Sequence, residues 1–165
     1  MNTSRKVQVS KKIFDLDALV PLITQWKDQG EEVVFTNGCF DLLHPGHIQY
    51  LQEARQLGSR LVVGTNSDSS IKRLKGANRP IINEKGRLLA LAALEAVDAV
   101  ILFEEDTPLR LIEALIPDVL VKGSDYKKSN IVGADIVESH GGKVELINLV
   151  PGYSTTEIIE KIKTK

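Results

Sequence analysis

Residues 31–47 read EEVVFTNGCFDLLHPGH, and the fold turns on this stretch. EEVVFTNG is a short apolar run rich in β-branched residues that stops at turn residues, the pattern of a parallel strand buried on both faces. Within a few residues of its end, Pro45 and Gly46 open a helix. Upstream, Leu16, Leu19, Ile23 and Trp26 recur at helical spacing, with Asp15 placed to cap the helix and Gly30 to end it. Downstream the alternation repeats. A helix over about 45–57 closed by Gly58 leads to the strand RLVVGTN, and a helix over 84–95 leads to DAVILF. Thr107 as N-cap and Pro108 as first helical residue open a helix through Leu115, followed by the strand DVLVKG. A helix over 130–139 ended by Gly141, the strand KVELIN and a last helix from Ser154 complete the chain. Five strands alternating with helices predict an open parallel sheet covered on both faces, with ligands bound beyond the carboxyl ends of its strands.

At 165 residues and 42% hydrophobic, the chain is long enough for one core and short for two, and no repeat or linker divides it. Residues 1–12 read as an N-terminal extension and 13–165 as one domain. Lys and Arg total 21 against 22 Asp and Glu, so no basic field exists to hold a nucleic acid or an anionic membrane. No apolar run approaches the roughly 20 residues of a membrane span. A single cysteine, Cys39, excludes an internal disulfide and a multi-cysteine zinc site and agrees with a cytoplasmic location.

Neither GxxxxGK[ST] nor GxGxxG follows a strand, which removes the common phosphate-loop and dinucleotide fingerprints. In their place, Gly38 permits close backbone approach, and the new helix presents unpaired N–H groups and a partial positive charge to an anion. His44 and His47, three apart around Pro-Gly, are placed to donate to phosphate oxygens as charge develops. Gly38-Cys39-Phe40-Asp41 with His44-Pro45-Gly46-His47 resembles the GxFDxxHxGH signature of the nucleotidyltransferase superfamily that includes the cytidylyltransferases. Ser154-Thr155-Thr156 is similar to that superfamily's late S/T motif at a helix start. A closer resemblance runs through residues 13–162, in VGTNSD, LKGANRPI, VDAVILFEEDTP, PDVLVKGSDY, IVGADIVESHGGKV and VPGYSTTEII. It is to the adenylyltransferase domain of ADP-heptose synthases.

The resemblance implies a Rossmann-like α/β fold, a doubly wound five-stranded sheet of order 3-2-1-4-5. It implies transfer of AMP from ATP to a D-glycero-D-manno-heptose 1-phosphate, releasing pyrophosphate and giving ADP-heptose for lipopolysaccharide core or related glycan synthesis, with Mg²⁺ bridging phosphate oxygens. The nucleophile is already an anion, so the protein has only to position two polyanions and neutralise charge. His44 and His47 are expected on the triphosphate, within a nucleotide site that includes Thr36, Asn37, Gly38, Cys39 and Phe40. Lys72, Arg73, Lys75, Arg79 and Arg87 supply cations for pyrophosphate or sugar phosphate, with Lys75 and Arg87 as the catalytic pair and Lys72, Lys75 and Arg79 on the sugar phosphate. Lys122, Gly123 and Asp125 fall on the nucleotide side with Ser154, Thr155 and Thr156, and Asp41 falls near the acceptor. Many cytidylyltransferases carry an arginine where Leu149 stands here, and Lys122 is the expected replacement.

Each motif also has a plainer reading. HxxH can belong to a metal site, though His140 and Cys39 are the only other soft ligands. Cys39 can be a packed small residue or a nucleophile, the basic cluster a solvated helix face, Ser154-Thr155-Thr156 an N-cap supported by Glu157, and Gly123 with Asp125 a turn. Two other functions stay open from residues alone: a cytidylyltransferase acting on a phosphorylated alcohol, and a non-catalytic nucleotide-binding regulator. A homodimer is also open, since small α/β enzymes often pair.

Overall fold

A computed structural model describes residues 9–164. Among these residues six parallel strands form one sheet: β1 (Ile13–Phe14), β2 (Val33–Gly38), β3 (Arg60–Asn66), β4 (Ala99–Phe103), β5 (Val119–Gly123) and β6 (Lys143–Ile147). Their order is β1-β4-β3-β2-β5-β6. The expectation of five strands is therefore corrected. Ile13 and Phe14 pair with Val100 and Ile101 and add an edge strand, which at two residues is too short to show any periodicity. The five longer strands lie in the order β4-β3-β2-β5-β6. Of the extension expected over 1–12, residues 1–8 lie outside the described residues. Val9–Lys12 form a 3₁₀ turn, and Lys12 Nζ donates to Leu94 O at 3.0 Å and Val97 O at 2.7 Å, so this part belongs to the packed fold.

The described residues form seven α-helices around the sheet: α1 (Leu16–Asp28), α2 (Pro45–Arg55), α3 (Asp68–Lys75), α4 (Glu84–Ala92), α5 (Leu109–Leu115), α6 (Ala134–Ser139) and α7 (Thr155–Lys163). α1 starts where expected, with the Asp15 carboxylate accepting from Ala18 N at 2.9 Å. On one face of the sheet α1, α5 and α6 bury Leu19, Trp26, Ile112 and Val137 against Phe35, Val62 and Leu120. On the other, α2 and α4 bury Leu51, Ala54 and Leu91 against Val34, Leu61 and Val121. Val34 and Phe35 thus point to opposite faces, which is why Val33, Val34 and Phe35 are continuously apolar rather than alternating.

Three helix boundaries differ from expectation. α5 begins at Leu109 with Pro108 as its N-cap residue, so Thr107 is not the cap. The segment expected to be helical from 130 is a 3₁₀ turn (Lys128–Asn130) followed by α6 from Ala134. Gly133 at φ +82° breaks the path between them, and a side chain there would also meet Ile112 at 2.7 Å. α4 stops at Ala92 rather than 95. No helix among the described residues is long and apolar enough to cross a membrane.

Candidate active site

From β2 the chain winds outward through β3 to β4, then returns to lay β5 and β6 on the other side of β2. The winding reverses between β2 and β5, and the loops leaving those two strands diverge to opposite faces. A crevice must open beyond their carboxyl ends. A cleft of about 660 Å³ lies there, walled by the β2–α2 loop, the α2 N-terminus, Lys75 and Arg79, the end of β5 and the α7 N-terminus.

The β2–α2 loop is shaped against its own preferences. Phe40 (φ +47°) and Leu42 (φ +51°) both occupy the left-handed region, which costs non-glycine residues of order 1–3 kcal/mol each unless the surroundings impose it. Phe40 folds its ring back over Gly38, where a Cβ would stand 3.2 Å from the ring. Asp41, between the two strained residues, has a fully buried side chain that accepts from Arg79 Nε at 2.8 Å, Ile81 N at 2.8 Å and Ile82 N at 2.9 Å. Burial alone would raise its pKa, but the Ile82 and Ile81 N–H groups and the Arg79 guanidinium hold it below the usual carboxylate range. The carboxylate is thus fully engaged by the protein, while Asp41 itself lines the cleft where the acceptor was expected.

His44 is the N-cap residue of α2, and its Nδ1 accepts from His47 N at 3.4 Å. In the neutral ring that contact leaves the proton on Nε2, which makes His44 a donor at its far edge. The two imidazoles stack at 3.8 Å between centroids, 18° from parallel. Burial and the neighbouring His44 push His47 down to about 4, and burial lowers His44 as well, so both rings are neutral near pH 7. His47 Nδ1 is buried and has no partner among the described residues. Gly46 between them is needed for space, since a Cβ there would stand 3.1 Å from both the His44 ring and Tyr153.

Lys122, at the end of β5, donates to the Asn37 side chain across the β2–β5 boundary and lies 5.4 Å from the Tyr126 ring centre. Burial pushes it down to about 8, against the pull of Asp125. Gly123 keeps this corner open, because a Cβ would fall 2.5 Å from Asp125 Oδ1. At α7, Thr155 Oγ1 donates to Asp41 O at 2.9 Å, while Ser154, the N-cap residue, makes no side-chain bond to its own helix.

Of the residues singled out from sequence, Asn37, Gly38, Cys39, Phe40, Asp41, His44, His47, Lys75, Arg79, Lys122, Gly123, Asp125, Ser154, Thr155 and Thr156 line the cleft. Thr36, Lys72 and Arg87 do not. Thr36 is buried and shares its hydroxyl between Val121 O and Tyr50 Oη. Lys72 is exposed on α3. Arg87 is 1% exposed and donates to Ile82 O, Cys39 O, Thr65 Oγ1, Asn66 O and Asp68 Oδ1 at 2.7–3.0 Å, so its guanidinium is consumed by the fold. Arg73 likewise turns away, to Asp106 and Glu104 O. Burial raises the Cys39 thiol despite Lys75 and Arg87 nearby, which keeps it protonated and unlike a nucleophile. Sequence reasoning passed over Tyr50, Asn66, Leu74, Tyr126 and Tyr153 as cleft residues. Asn66 was signalled by its place at the end of β3, and Tyr153 by preceding the S/T motif.

A cleft at a topological switch point, lined by Lys75, Arg79 and Lys122 and by an HxGH helix start, defines a Rossmann-like nucleotidyltransferase. Comparison with known proteins places the chain further. It belongs to the cytidylyltransferase-like family, which matches residues 35–161. It is 60% identical over 153 residues to the bifunctional protein HldE of Geotalea uraniireducens, covering 93% of this chain and 31% of that protein. With the HldE of Methylobacillus flagellatus it shares 53% over 162 residues, 98% of this chain and 33% of the relative. The chain thus spans about a third of the length of the curated relatives it matches. Among solved structures it is similar to the lipopolysaccharide core biosynthesis protein from Thermoplasma volcanium, with 32% identity and a TM-score of 0.60, covering 73% of this chain and 98% of that one.

Proposed function

We propose that this protein is a cytoplasmic adenylyltransferase that moves AMP from MgATP to a D-glycero-D-manno-heptose 1-phosphate, yielding ADP-heptose and pyrophosphate. The observation that carries the reading is the union of the HxGH helix start, Lys75, Arg79, Lys122 and the α7 N-terminus on one cleft, in a chain 53–60% identical to HldE proteins. A phosphate oxygen of the sugar attacks the α-phosphorus; a P–O bond forms as the bond to the β-phosphate oxygen breaks, and pyrophosphate leaves with the electron pair. No proton need be removed from the nucleophile. His44 and His47, neutral at rest, donate N–H bonds to phosphate oxygens that gain charge in the transition state. Lys75, Arg79 and Lys122 offset the charge of the two polyanions, and the α7 N–H groups with Ser154 meet a further phosphate.

In this reading Mg²⁺ arrives on the triphosphate as part of the substrate. Leu149, 53% exposed, puts an apolar side chain on the cleft wall where many cytidylyltransferases are cationic, which supports ATP over CTP. The test is a matrix of nucleoside triphosphates against sugar and alcohol phosphates, scored by pyrophosphate release. Turnover is expected with ATP and heptose 1-phosphate. Efficient turnover of CTP with glycerol 3-phosphate, and none with ATP and either heptose anomer, overturns the reading.

A further inference from the structure

We propose that Asp41 is a positioning residue that aims the guanidinium of Arg79 at a phosphate group in the cleft. The inference rests on the reading above only in taking the cleft to receive phosphates. Arg79 lies on the loop between α3 and α4, 38 residues beyond Asp41 in sequence. Its Nε is the atom held by Asp41, at 2.8 Å from Oδ2. Among the described residues its two terminal amino groups have no hydrogen-bond partner, and the residue lines the cleft with its side chain 17% exposed. A guanidinium gripped at Nε cannot rotate its terminal fork away, and that fork matches two oxygens of one phosphate. Arg87, by contrast, spends all three of its nitrogens on the protein.

The grip is built to be stiff. The same carboxylate takes the N–H groups of Ile81 and Ile82, so the backbone that carries Arg79 is tied to the carboxylate that orients its side chain. The Asp41 carbonyl accepts from Thr155 Oγ1, so the loop and the α7 N-terminus, two walls of the cleft, are referenced to one residue. That residue sits between two backbone positions in the left-handed region, a conformation maintained only where surroundings demand it. Ionisation of the carboxylate is favoured by the three donors around it, in keeping with a permanent anchor rather than a group that exchanges protons during turnover.

The phosphate met by the fork comes either from ATP or from the sugar 1-phosphate, and the experiment separates the two. Steady-state pyrophosphate release is measured for the wild type, Asp41→Asn, Arg79→Ala and the double variant, with each substrate varied in turn. Each single change is expected to lower kcat/KM by about 10–100-fold, and the double variant to fall no further than Arg79→Ala, because Asp41 acts through Arg79. A merely structural Asp41 gives losses that multiply, and that result overturns the proposal. Arg79→Lys leaves Asp41 and the net charge intact and guards against misfolding of Asp41→Asn. It is expected to lose as much as Arg79→Ala, since an ammonium cannot both pair with Asp41 and present a fork; wild-type kcat/KM overturns the proposal. Calorimetry with MgATP alone and heptose 1-phosphate alone needs no turnover, so it decides even if the wild type proves inactive, a result that bears on the proposed function only. Weaker binding of one ligand by both Asp41→Asn and Arg79→Ala names the source of the phosphate, and undiminished binding of both ligands by Arg79→Ala refutes the assignment.

Discussion

Arg87 lies in a basic cluster that reads as substrate-binding, and the structure makes it a buried tie instead. Replacing it by methionine, which retains most of its length, removes the donors without leaving a large void. Left behind are the carbonyls of Ile82, Cys39 and Asn66, the Thr65 hydroxyl and the Asp68 carboxylate, all bonded by Arg87 in the native fold. Removing one partner of a buried charged network costs about 3–5 kcal/mol, and at roughly 2–4 °C per kcal/mol for a domain of this size the expected loss of Tm is about 6–20 °C. Thermal unfolding followed by circular dichroism, with urea denaturation for the free energy, reads it directly. Arg87→Lys is expected to lose nearly as much, because one ammonium cannot span acceptors on four segments. If Arg87 instead served substrate, both variants would keep the wild-type Tm and show a raised KM that shrinks with salt. That pattern would refute the structural reasoning.

Other expectations follow from the cleft. His47→Ala is expected to lower kcat by about 10²–10³-fold with the fold retained, as for loss of one charge-stabilising donor, and near-normal turnover would remove His47 from the mechanism. Because His47 is depressed to about 4 from an unfolded value near 6.5, the unfolded chain binds more protons between those pH values. Its contribution to stability is therefore complete above about pH 6.5 and lost as pH falls toward 4, and His47→Gln is expected to flatten that part of a Tm–pH profile. Lys122, lowered to about 8, is charged below that pH and neutral above it, so the KM for ATP is expected to rise between pH 7 and 9 in the wild type and to stay level in Lys122→Arg; identical profiles would exclude it from the nucleotide site. Gly46→Ala gains up to ~1 kcal/mol of helix propensity yet sets a methyl against the His44 ring, so kcat is expected to fall at least about tenfold while Tm changes little.

Much of the architecture was legible because it is written locally. The β2, β3, β4 and β5 runs each carry a continuous apolar stretch as strands buried on both faces must, and Asp15 and Gly30 mark the ends of α1 where local chemistry requires them. β1 escaped notice because two residues carry no period, and α3 because its eight residues are nearly all polar. A helix start was nevertheless encoded there, with Ser67 Oγ accepting from Ser70 N at 3.2 Å and Asp68 in the first turn. Gly133 delayed the start of one expected helix to Ala134 for a reason no periodicity contains, its left-handed backbone and the Ile112 side chain beneath it.

The site divides along the same line. Gly38, His44, Gly46 and His47 act within a ten-residue span, and composition and spacing alone pointed to an anion at a helix start. The cations did not sort themselves that way, since Arg73, Arg79 and Arg87 are alike in sequence and differ in what surrounds them. Arg73 meets the exposed Asp106, Arg79 meets the buried Asp41 through one nitrogen, and Arg87 meets backbone carbonyls from the ends of β2 and β3. A substrate-binding cation must reach the cleft with donors left over, so the useful measure is unspent donors rather than charge. By that measure Arg87 has almost nothing to offer, Arg79 retains its fork, and Lys75, which lines the cleft with no hydrogen-bond partner among the described residues, retains all three ammonium protons. Under the proposed function, phosphate affinity rests on Lys75, Arg79 and Lys122, and Asp41, at the centre of the strained Phe40–Leu42 turn, holds the loop that carries Arg79.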